Sequence, residues 1–137
     1  MSKPSVDIAD LAHVFKALSD ETRLRIVRLL MYADEGLCVC ELVSALELPQ
    51  YQVSRHLRVL KDSDIVTVER RGTWSYYHID HVLVPDPVFT GLKEVFDSAG
   101  WIGDRDRQRL DQRLSLRSGG LCVVGFIDAP EIRGARV

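Results

Sequence analysis

Sulfur is scarce in this chain. Three cysteines occur in 137 residues, an odd and sparse number. That count excludes the disulfide-dense scaffold of a small secreted domain and suggests a reducing, cytoplasmic setting with thiols free for chemistry. Long apolar runs are missing too: no stretch approaches the roughly 18–20 residues of a membrane span, and MSKPSVDIAD lacks the apolar core of a secretory signal. Positive charge is not in excess. The net charge of −2 gives no global attraction to nucleic acid, so any DNA binding must come from local placement of cations. No P-loop, Ser/His/Asp order or paired-carboxylate setting stands out, and an enzyme is not expected. What is present suffices for a core: 46% of residues are hydrophobic and 28% charged, at a length that expects one domain, or one domain with arms.

The pattern along the chain is helical at first. Ile8, Leu11, Ala12, Phe15 and Leu18 predict an amphipathic helix ending near Ala17–Leu18. Ser19-Asp20 supplies capping side chains for a second helix carrying Leu24, Ile26, Val27, Leu29 and Leu30, which Asp34-Glu35-Gly36 ends. Val39, Leu42, Val43 and Leu46 space out a short third helix, stopped by Glu47-Leu48-Pro49 because proline disfavours helix in the residue before it. A fourth helix opens at once, with Val53, Leu57 and Leu60 inward and Ser54, Arg55 and Arg58 outward. The period then changes to two. Ile65–Val68 and Thr73–Ile79, with Arg71-Gly72 between them, predict a β-hairpin. Asp86-Pro87 opens a fifth helix to about residue 99, with Phe89, Leu92, Val95, Phe96 and Ala99 as its stripe. The polar stretch Gly103–Arg117 can form a helix only against a partner surface; Ser118-Gly119-Gly120 breaks it ahead of the apolar run Leu121–Ile127.

Helix, helix, helix–turn–helix, hairpin, helix is the order of a winged helix–turn–helix: mainly α with a β-hairpin wing. Residues 1–100 are expected to form this DNA-binding and dimerisation domain, with 101–137 a C-terminal extension of unknown role. The first turns of the fourth helix carry Gln50, Tyr51, Gln52, Ser54, Arg55 and His56. Amides pair with adenine, arginine with guanine, and hydroxyls with phosphate. Arg70 and Arg71 lie where a wing tip meets the backbone or minor groove. His56 could equally be the satisfied partner of a neighbouring group. Double-stranded operator DNA is the expected partner. A homodimer reading two half-sites about 34 Å apart would double the sequence recognised, and the helices at 8–18 and 87–99 offer apolar stripes for it.

The segments FKALSDETRLRIVRLL and LCVCELVSALELPQYQVSRHLRVLKDSDIVTVERRGTWSYYHI, with the Leu-Ser-Asp-Glu-Thr-Arg run, the Val-Ser-Arg-His-Leu helix and the Arg-Gly-x-x-x-Tyr-Tyr wing in order, resemble the ArsR/SmtB family of winged-helix metal-responsive repressors across about residues 8–80. The resemblance implies a homodimer built from the first and last helices, bound to an operator palindrome and released by an inducer on cysteines or histidines. Cys38-Val39-Cys40 resembles the arsenite- and antimonite-sensing branch, and the same motif also contributes to the cadmium- and lead-sensing branch. No resident cofactor is implied; the inducer would be As(III) or Sb(III) on thiolates.

The residues add their own argument. Thiolates favour soft ions, and a helix N-terminus is expected to lower a thiol pKa; buried free cysteines are otherwise often just small hydrophobes. On an α-helix, positions i and i+2 stand about 200° apart, so Cys38 and Cys40 would point to opposite sides unless the helix start unwinds or never forms. Ligation is therefore expected to distort the first turn of the third helix and shift the recognition helix. Cys122 is the available third thiol, from the same or the partner subunit; its alternative is a core position. The family's last-helix zinc site has no counterpart, since no histidine follows His81, and His13, His78 and His81 are expected to be structural or solvated. A thiol redox sensor of the same fold, a thiol-disulfide enzyme and a winged helix that binds protein are the competing readings.

Overall fold

The computed structural model describes residues 7–80, 86–98 and 104–126. Helix α1 (Ile8–Leu18) is capped by Asp7, whose carboxylate accepts the Asp10 N–H, and α2 (Glu21–Ala33) by Asp20, which accepts from Arg23. Strand β1 (Leu37–Cys38) precedes α3 (Val39–Leu46). Glu47 then takes the left-handed conformation, φ 55°, and turns the chain into α4 (Gln50–Asp62) within three residues. Strands β2 (Val66–Arg71) and β3 (Trp74–Ile79) form the hairpin, followed by α5 (Asp86–Ser98) and α6 (Arg105–Leu114). Ala99, His81 and the chain beyond Phe126 lie outside the described residues.

The three strands make one antiparallel sheet in the order β1-β3-β2. The hairpin register sets Val66 opposite Ile79 and Arg71 opposite Trp74, while β1 adds Leu37 to Tyr77 and Cys38 to Tyr76. Two residues are too few for a period-2 signal, so β1 leaves no mark in the sequence pattern. It nevertheless ties the segment in front of α3 to the wing.

The core gathers Ile26, Leu29, Leu42, Leu57, Leu60 and Ile65, all at 0% exposure. Val53, Leu57 and Leu60 seat α4 with its opposite face outward. Full burial of such side chains is worth ~1.5–3 kcal/mol each, which fixes the rotation of α4 and hence which residues face outward.

The described part of 101–137 packs against the preceding helices. Leu110 is fully buried in the same core, and α6 packs on α2 and α3. Its arginines and aspartates make the join: Asp106 accepts two bonds from Arg25 at 2.8 Å, Asp104 pairs with Arg28, and Arg109 pairs with Glu47 at 2.8 Å while donating to the Ala45 carbonyl at 2.7 Å. The surface that this polar helix requires is thus supplied by α2 and α3 of its own chain.

Candidate DNA-reading face and thiol site

On α4, Gln50, Tyr51 and Arg55 are exposed, and Gln52 and Ser54 half-buried, so five of the six expected reading residues share an accessible face. The N-cap is Pro49, which offers no side-chain bond to the first turn. The leading N–H groups are left for solvent or a phosphate. His56 does not share that face. It is 8% exposed, its Nδ1 lies 3.2 Å from Arg23 Nη1 and 3.8 Å from Asp20, and burial pushes its pKa below the ordinary histidine value. Position 56 lies three residues after Val53 and four before Leu60, so the helical period places it on the buried stripe of α4.

At the wing, a two-residue turn with Gly72 at φ +60° brings Arg70 and Arg71 to the tip. Arg70 is exposed. Arg71 donates to Glu69 at 2.7 Å and lies over the Tyr76 ring, and its hydrogen bond holds the Glu69 carboxyl below the usual range.

The cysteines converge. Cys38 is extended (φ −85°, ψ 163°) at the N-cap position, and the helix proper starts at Val39. The Sγ atoms of Cys38 and Cys40 are therefore 2.8 Å apart, not splayed across a helix. Of the two conditions under which one guest can reach both sulfurs, the structure shows the second: the helix does not extend to Cys38, so no unwinding of the first turn of α3 is needed to bring them together. Cys122, from the same chain, places its Sγ 3.4 Å from Cys40, and all three sulfurs lie within 4.8 Å of one another. All are free thiols, exposed by only 1%, 1% and 5%.

The surroundings correct a second expectation. The Cys38 pKa is raised well above the ordinary thiol value by its hydrogen bond to Cys40, by burial and by the nearby Glu41 carboxylate. These outweigh the start of a short helix. Glu41, fully buried, accepts the Cys38 N–H at 3.1 Å and a two-pronged bond from Arg117 at 2.7 Å. Arg117 also donates to the Gly36 carbonyl at 2.7 Å. Arg113 reaches Ser44 Oγ at 3.2 Å, the Cys122 sulfur at 3.6 Å and the Gly125 carbonyl. The Tyr76 hydroxyl accepts the Cys122 N–H at 2.9 Å. Sequence reasoning missed Glu41, Tyr76, Arg113 and Arg117. Glu41 alone left a local signal, standing three residues after the N-cap where a carboxylate bonds back to the cap N–H.

Two helices joined by a tight turn, an outward polar face on the second, and a basic hairpin define a winged helix–turn–helix. Residues 20–68 match the family described as bacterial regulatory protein, arsR family. Two curated relatives come from Pseudomonas putida. The arsenic resistance transcriptional regulator ArsR1 is 49% identical over 86 residues, 62% of this chain and 65% of that protein, just under two thirds of its length. ArsR2, with the same description, is 46% identical over 66% of this chain and 78% of its own. Among solved structures, the homodimeric winged helix–turn–helix DNA-binding domain of Mb0332 from Mycobacterium bovis, a possible ArsR-family regulator, is similar at a TM-score of 0.55 and 29% identity, covering 72% of this chain and 90% of the other. The chain belongs to the arsR family of bacterial regulatory proteins.

Proposed function

We propose that this regulator is a homodimeric repressor that holds operator DNA and releases it when trivalent arsenic or antimony is captured by Cys38, Cys40 and Cys122. One observation carries the reading: three buried sulfurs from two distant segments stand within 4.8 Å in a single chain. Three soft donors suit a thiophilic ion. Glu41, whose carboxylate lies beside Cys38, is engaged by Arg117. Capture is a ligand exchange. With arsenous acid, each S–H proton leaves with an As–OH group as water, three As–S bonds replace three As–O bonds, and no oxidation state changes. The names of the Pseudomonas relatives support arsenic as the guest.

DNA is read by Gln50, Tyr51, Gln52, Ser54 and Arg55 in the major groove, with Arg70 and Arg71 on the backbone or minor groove and His56 seating the helix from behind. The second copy covers α1 and α5, where Ile8, Phe15 and Val95 are 82%, 54% and 55% exposed. The homodimeric Mycobacterium domain supports that assembly. The protein acts in the cytoplasm, where thiols stay reduced; no helix among the described residues is long and apolar enough to cross a membrane.

A redox variant of the same reading draws on the 2.8 Å between Cys38 and Cys40, which a peroxide could join; cadmium or lead would use the same three sulfurs. The test is a titration of the protein–DNA complex with arsenite, cadmium or peroxide for wild type, Cys40→Ser and Cys122→Ser, with bound metalloid counted by mass spectrometry. Wild type is expected to release DNA at one arsenic per chain and both variants to resist. Unchanged arsenite release in Cys40→Ser would overturn the reading, and release by peroxide alone would favour the redox variant.

A further inference from the structure

The paired tyrosines after the wing turn play no part in the reading above, yet Tyr76 is the largest fully buried side chain among the described residues. Its backbone pairs with Cys38 on one side and with Glu69 of β2 on the other. Its hydroxyl receives the Cys122 N–H at 2.9 Å. The guanidinium carbons of Arg117, which grips Glu41 at the start of α3, and of Arg71, at the wing tip, each stand 5.4 Å from its ring centroid. One residue thus touches both cysteine-bearing segments and a cation of the DNA-facing hairpin.

We infer that Tyr76 is a positioning residue that carries the occupancy of the thiol site to the wing by setting where Arg71 stands, so that release of DNA runs through the wing as well as through α4. The inference rests on the arsenite reading. A guest bonded to three sulfurs holds them at similar separations, whereas the thiols here stand 2.8 and 3.4 Å apart, so capture changes at least one of these distances and moves Cys38 or Cys122 relative to Cys40. Cys38 is laddered to Tyr76 through β1, and Cys122 is bonded to its hydroxyl. A close-packed interior passes such a shift on rather than absorbing it. Arg71 has two stations: the Glu69 carboxylate and the Tyr76 ring face, where it lies in this structure, or a DNA phosphate. Loading the sulfurs stabilises the first station and withholds the wing cation from DNA.

The experiment compares wild type, Tyr76→Phe and Arg71→Gln as full-length protein. It uses arsenite and a duplex that the wild type itself selects from a random-sequence pool. In wild type, arsenite is expected to weaken DNA binding and to lower the slope of log affinity against log salt by about one, the mark of one lost phosphate contact. Tyr76→Phe should keep the arsenic stoichiometry and an arsenite-free affinity within about 2-fold, while the ratio of free to loaded affinity falls about 3-fold or more and the slope change disappears. Arg71→Gln, which leaves the buried site untouched, should show the lower slope without arsenite and no further drop with it. A ratio and slope change in both variants equal to those of wild type would overturn the proposal alone. A wild type that binds no arsenite, or binds it without releasing DNA, would overturn the functional reading and this inference with it.

Discussion

Cys40 and Cys122 are 82 positions apart in the chain, and their Sγ atoms stand 3.4 Å apart. The approach depends on α6, which carries the chain back across α3 before the turn at Ser118–Leu121 delivers Cys122. Residues 104–126 therefore bring the third sulfur to the pair on α3 and pack on α2 and α3.

That integration has a stability consequence. Leu110 is fully buried on an otherwise polar helix. Leu110→Ala should destabilise the whole protein by about 2–5 kcal/mol in urea unfolding. Helix signals and tryptophan fluorescence should be lost in one transition. Loss of α6 alone, leaving the earlier helices cooperative, would show a separable extension.

The Glu41–Arg117 pair is 1% and 7% exposed, so neither charge has water to fall back on. Arg117→Met should cost about 3–5 kcal/mol, because the Glu41 carboxylate is left buried with only the Cys38 N–H as a donor. Adding Glu41→Gln to that variant should recover a large part of the loss. A double-mutant cycle by chemical denaturation measures the coupling.

His56 gives the protein a pH dependence of defined sign. Its folded pKa lies below 6.5 because of burial, reinforced by Arg23 and Arg55 and only partly offset by Asp20. The unfolded chain therefore takes up this proton first, so the contribution is present above 6.5 and is lost as pH falls toward the folded pKa. Unfolding free energies measured from about pH 8 to about pH 5 should decline less steeply in His56→Gln than in wild type. An equal decline in both would remove His56 from the account.

The two parts of the DNA-reading face should respond differently to truncation. Arg70→Ala, at the exposed wing tip, should weaken binding to all sequences alike and reduce the salt slope by about one. Arg55→Ala, on the outward face of α4, should relax discrimination at one base position, at about 1–3 kcal/mol, against a panel of single-base operator variants.

Much of the scaffold is written locally. Apolar spacing marked the first five helices and the two long strands, because a side chain's face follows from its position in the period, and Asp20 stands where a helix start calls for a capping side chain. The outward face of α4 was legible for the same reason. His56 falls on the inward stripe by the same period, three residues after Val53 and four before Leu60, although its polar side chain suggested the outward face; its partners Arg23 and Asp20, on another helix, were not legible.

The sequence by itself determined the winged helix–turn–helix order and the presence of three thiols, since periodicity, caps and residue type act within a few positions. Only the tertiary structure decided that the three sulfurs stand together. That required an extended Cys38 held by β1, a returning α6, and Arg113, Arg117 and Tyr76 bonded across the gap. The physical reason is that sulfur convergence is set by packing between segments scores of residues apart, and the polar composition of α6 hides the contacts that bring it home.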